Sequence, residues 1–254
     1  MKKVTFLIAI ALFFGLSGFS QSTSTENNDI NKTDENGLKQ GYWEENISRS
    51  KVVGNYIDDL RDGTWVYYHP NEIIQTVQNY KMGKKEGLFI EIDKRGYFVS
   101  EKYYSDDQLN GPVKEFERGS RLILQENYNY GKLDGVKKTF YTTGKPQEES
   151  FYMDGVKQDT SNWYGPDGNI IAQYLYKDGI FEGKQKTFHA NGTVETEEFY
   201  VKNIKEGPSK EYFESGKIKL EGTFKNDLKD GTWVEYDEEG NVMSETKYKK
   251  GEKK

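Results

Sequence analysis

His69 and His189 are the only imidazoles in this 254-residue chain, which contains no cysteine. A metal site or an acid–base pair would need both rings in one place. They occupy equivalent places five repeat units apart, and at roughly 10 Å per two-stranded unit no ligand reaches both. They read as polar turn residues. The acids Glu101, Glu149, Glu197, Glu221 and Glu245 recur in register. Carboxylate pairs about 5 to 9 Å apart serve glycoside hydrolysis. Yet Lys114, Lys138, Lys186 and Lys210 form a matching column on neighbouring strands, so cross-strand ion pairs are the expected role. Asp-Gly pairs begin at 62, 134, 154, 178 and 230 without the alternating acids of a calcium loop, and read as turn chemistry. Trp43, Trp65, Trp163 and Trp233 could stack on sugars, but in a thin structure they are expected to form the core. No serine-hydrolase elbow, phosphate loop, dinucleotide fingerprint or zinc-protease motif is present, so no catalytic, cofactor-binding or metal-ligating residue is assigned.

What positions these residues is a repeat. Gly231-Thr232-Trp233-Val234-Glu235-Tyr236 copies Gly63-Thr64-Trp65-Val66-Tyr67-Tyr68, and units of 24 residues run without a gap from Gly63 to Lys254. A fixed internal period means that each unit is one supersecondary element. The first place is held by Gly63, Gly87, Gly111, Gly135, Gly183, Gly207 and Gly231, with Asp159 as the exception. Nine residues on stand Gly96, Gly144, Gly168, Gly192, Gly216 and Gly240. Both sets are expected to supply the positive φ of tight reversals, making each unit a β-hairpin with turn glycines at the first place.

Between the turns, the eighteenth place reads Tyr80, Tyr104, Tyr128, Tyr152, Tyr176, Tyr200, Phe224 and Tyr248. The twelfth place is mostly aliphatic, from Ile74 to Val242, and the sixth mostly aromatic, from Tyr68 to Tyr236. Equal parity places the twelfth and eighteenth side chains on one face, with the sixth joining them across the turn. With Trp65 and Trp233 they are the structural repeat aromatics. One hairpin is marginal in water, so neighbouring hairpins are expected to stack edge to edge.

Aromatic content of 15% with 26 glycines, at a mean hydropathy of −0.92, agrees with a thin β structure held by rings. Residues 1–20 have the positive start, short apolar run and small-residue exit of a secretory signal peptide. Its loss takes the net charge from −6 to −8, which disfavours nucleic acid and makes membrane contact unexpected after cleavage. Residues 21–40 are expected to be a disordered polar linker, 41–62 a divergent capping repeat, and 63–254 eight hairpin repeats. The fold class is all-β: an elongated single-sheet array of stacked antiparallel hairpins, about nine units of 24 residues.

The recurring Gly-x-Trp-x-x-Tyr, then Gly, then Tyr-x-x-Gly, resembles the MORN repeat in its bacterial variant form, whose members include YwqK-type antitoxins. The likeness covers 41–254 and departs from the pattern at Val113, Lys137, Ser161, Gln185 and Ser209, where a ring is replaced. It implies an extended sheet of hairpins used for protein contact. The expectation is therefore an exported, non-enzymatic repeat protein, periplasmic or extracellular, with a protein partner and no cofactor. A cell-wall glycan-binding module and a toxin-binding antitoxin or immunity protein are the alternatives.

Overall fold

The computed structural model describes residues 30–47 and 49–254. The expected signal segment, and the linker as far as residue 29, lie outside them. The described chain is all-β, with 23 strands in one open antiparallel sheet and no helix. Strands pair with their neighbours in sequence, from Lys32–Thr33 against Lys39–Ile47 to Val242–Lys249 against Glu252–Lys253.

One unit shows why the sequence folds this way. Gly87–Ile92 lies against Phe98–Ser105, with Gly87 opposite Tyr104 and Ile90 opposite Glu101. They are joined by a turn in which the Asp93 N–H donates to the Tyr97 carbonyl and the Gly96 N–H to the Asp93 carbonyl. Gly96 takes φ 89, and the Asp93 carboxylate accepts the N–H groups of Arg95 and Tyr97. This is the turn expected at the tenth place.

The second reversal falls elsewhere. Asp106 and Asp107, at φ 50 and 69, make a two-residue turn between Phe98–Ser105 and Gln108–Glu117. Met82-Gly83, Tyr130-Gly131, Asp154-Gly155, Asp178-Gly179, Lys202-Asn203 and Asn226-Asp227 repeat it with both φ values positive. That geometry matches the right-handed twist of the flanking strands.

Gly63, Gly87, Gly111, Gly135, Gly183, Gly207 and Gly231 are therefore not the residues of a reversal. Each has positive φ, as does Asp159 at φ 59; at Gly63, Gly111, Asp159, Gly207 and Gly231 the strand runs on through a β-bulge, and at Gly87, Gly135 and Gly183 it resumes after a one-residue break without turning back. Tyr104 faces Leu109 while Lys102 faces Val113, so Asn110, Gly111 and Pro112 stand against Tyr103 alone. The extra residues kink the strand without turning the chain back. At Gly111 a Cβ would also lie 3.2 Å from the Tyr103 Cβ.

A smaller bulge corrects the expected apolar stripe. Ile92 is opposite Phe98 but Glu91 is opposite Ser100, leaving Val99 extra. Every unit from Gly63 has this shift, and a one-residue slip exchanges faces. The twelfth and sixth places thus share one face and the eighteenth lies on the other. Phe98 accordingly meets the ring of Phe116, centroids 6.0 Å apart, while Tyr80 and Tyr104 meet Phe89 at the third place.

The first hairpin runs from Gly41 opposite Tyr56 to Ile47 opposite Ser50 without a register shift. Order also begins before the expected end of the linker. Lys32 faces Gln40, the Asn31 N–H donates to the Tyr42 carbonyl, and the Asn31 side chain both accepts from and donates to the Glu44 backbone. One asparagine thereby satisfies edge groups that a further strand would otherwise pair.

Candidate interaction surfaces

The face carrying the eighteenth-place rings is a ladder of aromatics and cations. The twenty-third place, two residues after a two-residue turn, sets a cation over those rings and over the third-place ring in most units, with Leu109, Leu133 and Phe181 as the exceptions. Arg61 stands 4.7 Å from the Trp65 ring centroid and 5.5 Å from that of Tyr80. Lys85 covers Tyr104 at 4.9 Å, Lys157 covers Tyr176 at 4.6 Å, and Lys229 covers Trp233 at 4.0 Å. Lys39 over Trp43 and Lys205 over Phe224 bring the cations to six, each contact stabilising by about 0.5–2 kcal/mol. Sequence reasoning missed this role, although the basic column at the twenty-third place was there to be read.

The third place sets how the ladder is filled. Trp65 and Trp233 are buried, and their indole N–H groups donate to the Asn55 and Thr223 carbonyls at 3.1 and 3.2 Å. Each lies on a glycine of the preceding unit, Gly54 or Gly222, where any Cβ would overlap the indole. The middle units substitute polar pairs. Lys137 meets Glu126 at 2.8 Å, and buried Ser150 and Ser161 share a hydrogen bond of 2.6 Å. The Gln185 amide accepts the Leu175 N–H and donates to the Leu175 carbonyl, serving the backbone place that the indoles serve. At Lys137, Ser161 and Gln185 the departures from the ring consensus thus have structural substitutes.

Glu148 accepts from Lys157 at 2.7 Å and from Ser150. Burial alone would raise its carboxyl, but these bonds reverse that and hold it below the usual range. Burial and the neighbouring Glu126 carboxylate push the Tyr128 phenol up to about 12. Trp163, at the fifth place, has the one buried side-chain polar atom among the described residues that lacks a hydrogen-bond partner, its indole nitrogen.

The opposite face is ionic. Lys114–Glu101, Lys138–Glu149, Lys186–Glu197 and Lys210–Glu221 pair at 3.0–3.2 Å, as the two columns led one to expect. Lys184 and Lys186 both hold Glu197 and outweigh its burial, so its carboxyl titrates low. The Tyr236 hydroxyl and Lys210 do the same for Glu221.

Both long rims are stitched from unit to unit. His69 and His189 each donate Nε2–H to a carbonyl of the next unit, Ile92 and Tyr212, at 2.8 Å. The Tyr141 hydroxyl donates to the Tyr164 carbonyl in the same way. At the other rim the Gly83 N–H donates to the Arg61 carbonyl and the Asp107 N–H to that of Lys85.

That second rim also exposes aliphatic pairs. Ile57 faces Leu60, Met153 faces Val156, and Val201 faces Ile204, with Met82 and Leu228 near equivalent places. These eight side chains are 40–51% exposed. The first and second pairs are four units apart and the second and third two units apart, about 38 and 19 Å at eight and four strand spacings. Concavities are open clefts, one of them of about 210 Å³ and bordered by Tyr174, Phe181, Lys186, Glu198 and Tyr200.

Five segments match the model of the MORN repeat variant: 61–82, 133–154, 181–202, 205–226 and 229–250. Each begins just after one two-residue turn and ends at the next, so the matched unit is the hairpin between two such turns. No curated protein matches the chain.

Proposed function

As a member of the MORN repeat family the chain is a repeat protein, and we propose that it is a non-catalytic, exported one that binds an extended protein partner along the rim of two-residue turns. The observation that carries this reading is the line of exposed aliphatic pairs, Ile57 with Leu60, Met153 with Val156 and Val201 with Ile204. Exposed apolar side chains repeated along one edge form a contact surface rather than isolated exceptions. A long partner with apolar groups at multiples of about 19 Å would cover them in register. The glycan-binding alternative loses its strongest support, because Trp65 and Trp233 are buried beneath cations instead of presented to solvent.

The test compares the full chain with a variant carrying Leu60→Glu, Val156→Glu and Ile204→Glu as bait against cell-envelope material. One protein retained in stoichiometric amount by the parent chain and lost by the variant, with thermal unfolding unchanged, is the expected result. Equal retention by both chains would remove the rim from the reading. Recovery of glycan alone would replace it with the carbohydrate alternative.

A further inference from the structure

The ladder lacks its cation at Leu109, Leu133 and Phe181, and only at Phe181 does an aromatic ring take the place, beside an open cleft. Phe181 occupies the twenty-third place, where Arg61, Lys85, Lys157, Lys205 and Lys229 hold their charges. Its ring lies 5.3 Å from Tyr174, 4.9 Å from Tyr176 and 5.5 Å from Tyr200, so four rings gather where Arg61, Lys85 and Lys229 each stand among two or three. Among the described residues no cation of this chain stands over Phe181 or Tyr174. Lys157 covers Tyr176 at 4.6 Å and Lys205 lies 5.9 Å from the Tyr200 centroid, so the uncovered rings are Phe181 and Tyr174.

We propose that this cleft binds an alkylammonium or guanidinium group, supplied by a lysine or arginine side chain of a protein partner. About 210 Å³ of open space accommodates such a side chain. The polar groups around it select for charge. Gln185 is spent on the Leu175 backbone, and Thr187 is bonded to Thr196. Glu198 accepts from Lys205 and Tyr200 and keeps further lone pairs, and the Tyr174 hydroxyl has no hydrogen-bond partner among the described residues. Lys186 also borders the cleft, with its ammonium paired to Glu197 at 3.0 Å, so what remains is mainly acceptor capacity beside ring faces. A sugar, which must both donate and accept, finds few free donors; a cation needs none. The net charge of −6 favours a basic visitor over an acidic one. The inference rests on the reading above only for the source of the cation.

The test titrates the full chain with N-acetyl-lysine methylamide, N-acetyl-arginine methylamide and the side-chain-acetylated lysine analogue, following the aromatic NMR signals of Tyr174, Phe181 and Tyr200. Saturable shifts with the two cations, and at least tenfold weaker binding of the neutral analogue, are expected. Phe181→Lys installs the resident charge of the other units and should weaken binding at least tenfold while the thermal midpoint holds. Phe181→Leu, which copies Leu109 and Leu133, should weaken it too if the lysine variant fails to fold. No shift with either cation, equal binding of the neutral analogue, or undiminished binding by folded Phe181 variants would overturn the site. None of those results bears on the apolar rim, whose own variants decide it.

Discussion

The indole of Trp233 occupies the space into which any side chain on Gly222 would project. Gly54 and Trp65 repeat the relationship at the other end of the sheet. Between them the same two places hold Ser150 with Ser161 and Glu126 with Lys137. The two positions share one volume, divided differently in different units.

Gly222→Ser should therefore destabilise by about 1–3 kcal/mol through overpacking, and Trp233→Ser by about 3–5 kcal/mol through loss of the ring. The double variant recreates the Ser150–Ser161 arrangement, and its cost should fall below the sum by more than about 1 kcal/mol. Urea unfolding of the four chains measures this, and strictly additive costs would show that the two places do not share a volume.

Acid should unfold the chain through its held carboxylates. Glu148, Glu197 and Glu221 titrate below the ordinary 4.5 when folded, so their stabilisation is complete above that pH and is lost as pH falls through the lowered values. The thermal midpoint should be level near neutrality and drop below about pH 4.5. Glu148→Gln should lower the midpoint at pH 7 and lessen the drop. A parallel curve for the variant would exclude Glu148 as a contributor.

Alkali acts on the phenols with the opposite sign. Tyr128 is raised from 10.0 to about 12 and Tyr200 is raised further, so the folded state favours their neutral forms. That contribution is complete below pH 10 and lost as pH rises through the folded values. Absorbance titration at 295 nm should show phenols ionising late and together with unfolding. In Tyr128→Phe the alkaline fall in midpoint should be shallower.

The bulges separate two causes of strain. Gly111 holds φ 113, and a Cβ there would crowd Tyr103, so Gly111→Ala should cost about 1–3 kcal/mol. Asp159, at φ 59, lies in the left-handed region that aspartate tolerates, so Asp159→Gly should change stability by less than about 1 kcal/mol. Chemical denaturation of both variants compares them directly, and equal effects would refute the assignment.

The hairpin array was legible because its signal is a period, and seven first-place glycines and eight eighteenth-place rings hold phase from Gly63 to the end. The division of faces was not. Parity counting assumes an unbroken strand, and the extra residue at Val99 and its counterparts reverses the twelfth place relative to the eighteenth. Glycine shows where φ is positive but not whether the chain then turns back. At Gly96 it does, and at Gly111 it does not, and the difference lies in which residues pair on either side. The ion pairs of Lys114, Lys138, Lys186 and Lys210 were readable because both partners recur in columns. The Phe181 cleft is not legible in the sequence alone, because the place of Phe181 in a column of cations has meaning only where those cations lie over rings.

The rim bonds from His69 to Ile92 and from Gly83 to Arg61 reach 23 and 22 residues along the chain, and strand pairing reaches less. Assembly of each unit therefore waits only for the unit before it. The loop that must close stays the same size however many units follow, so lengthening the array by duplication adds stability without adding an entropic search.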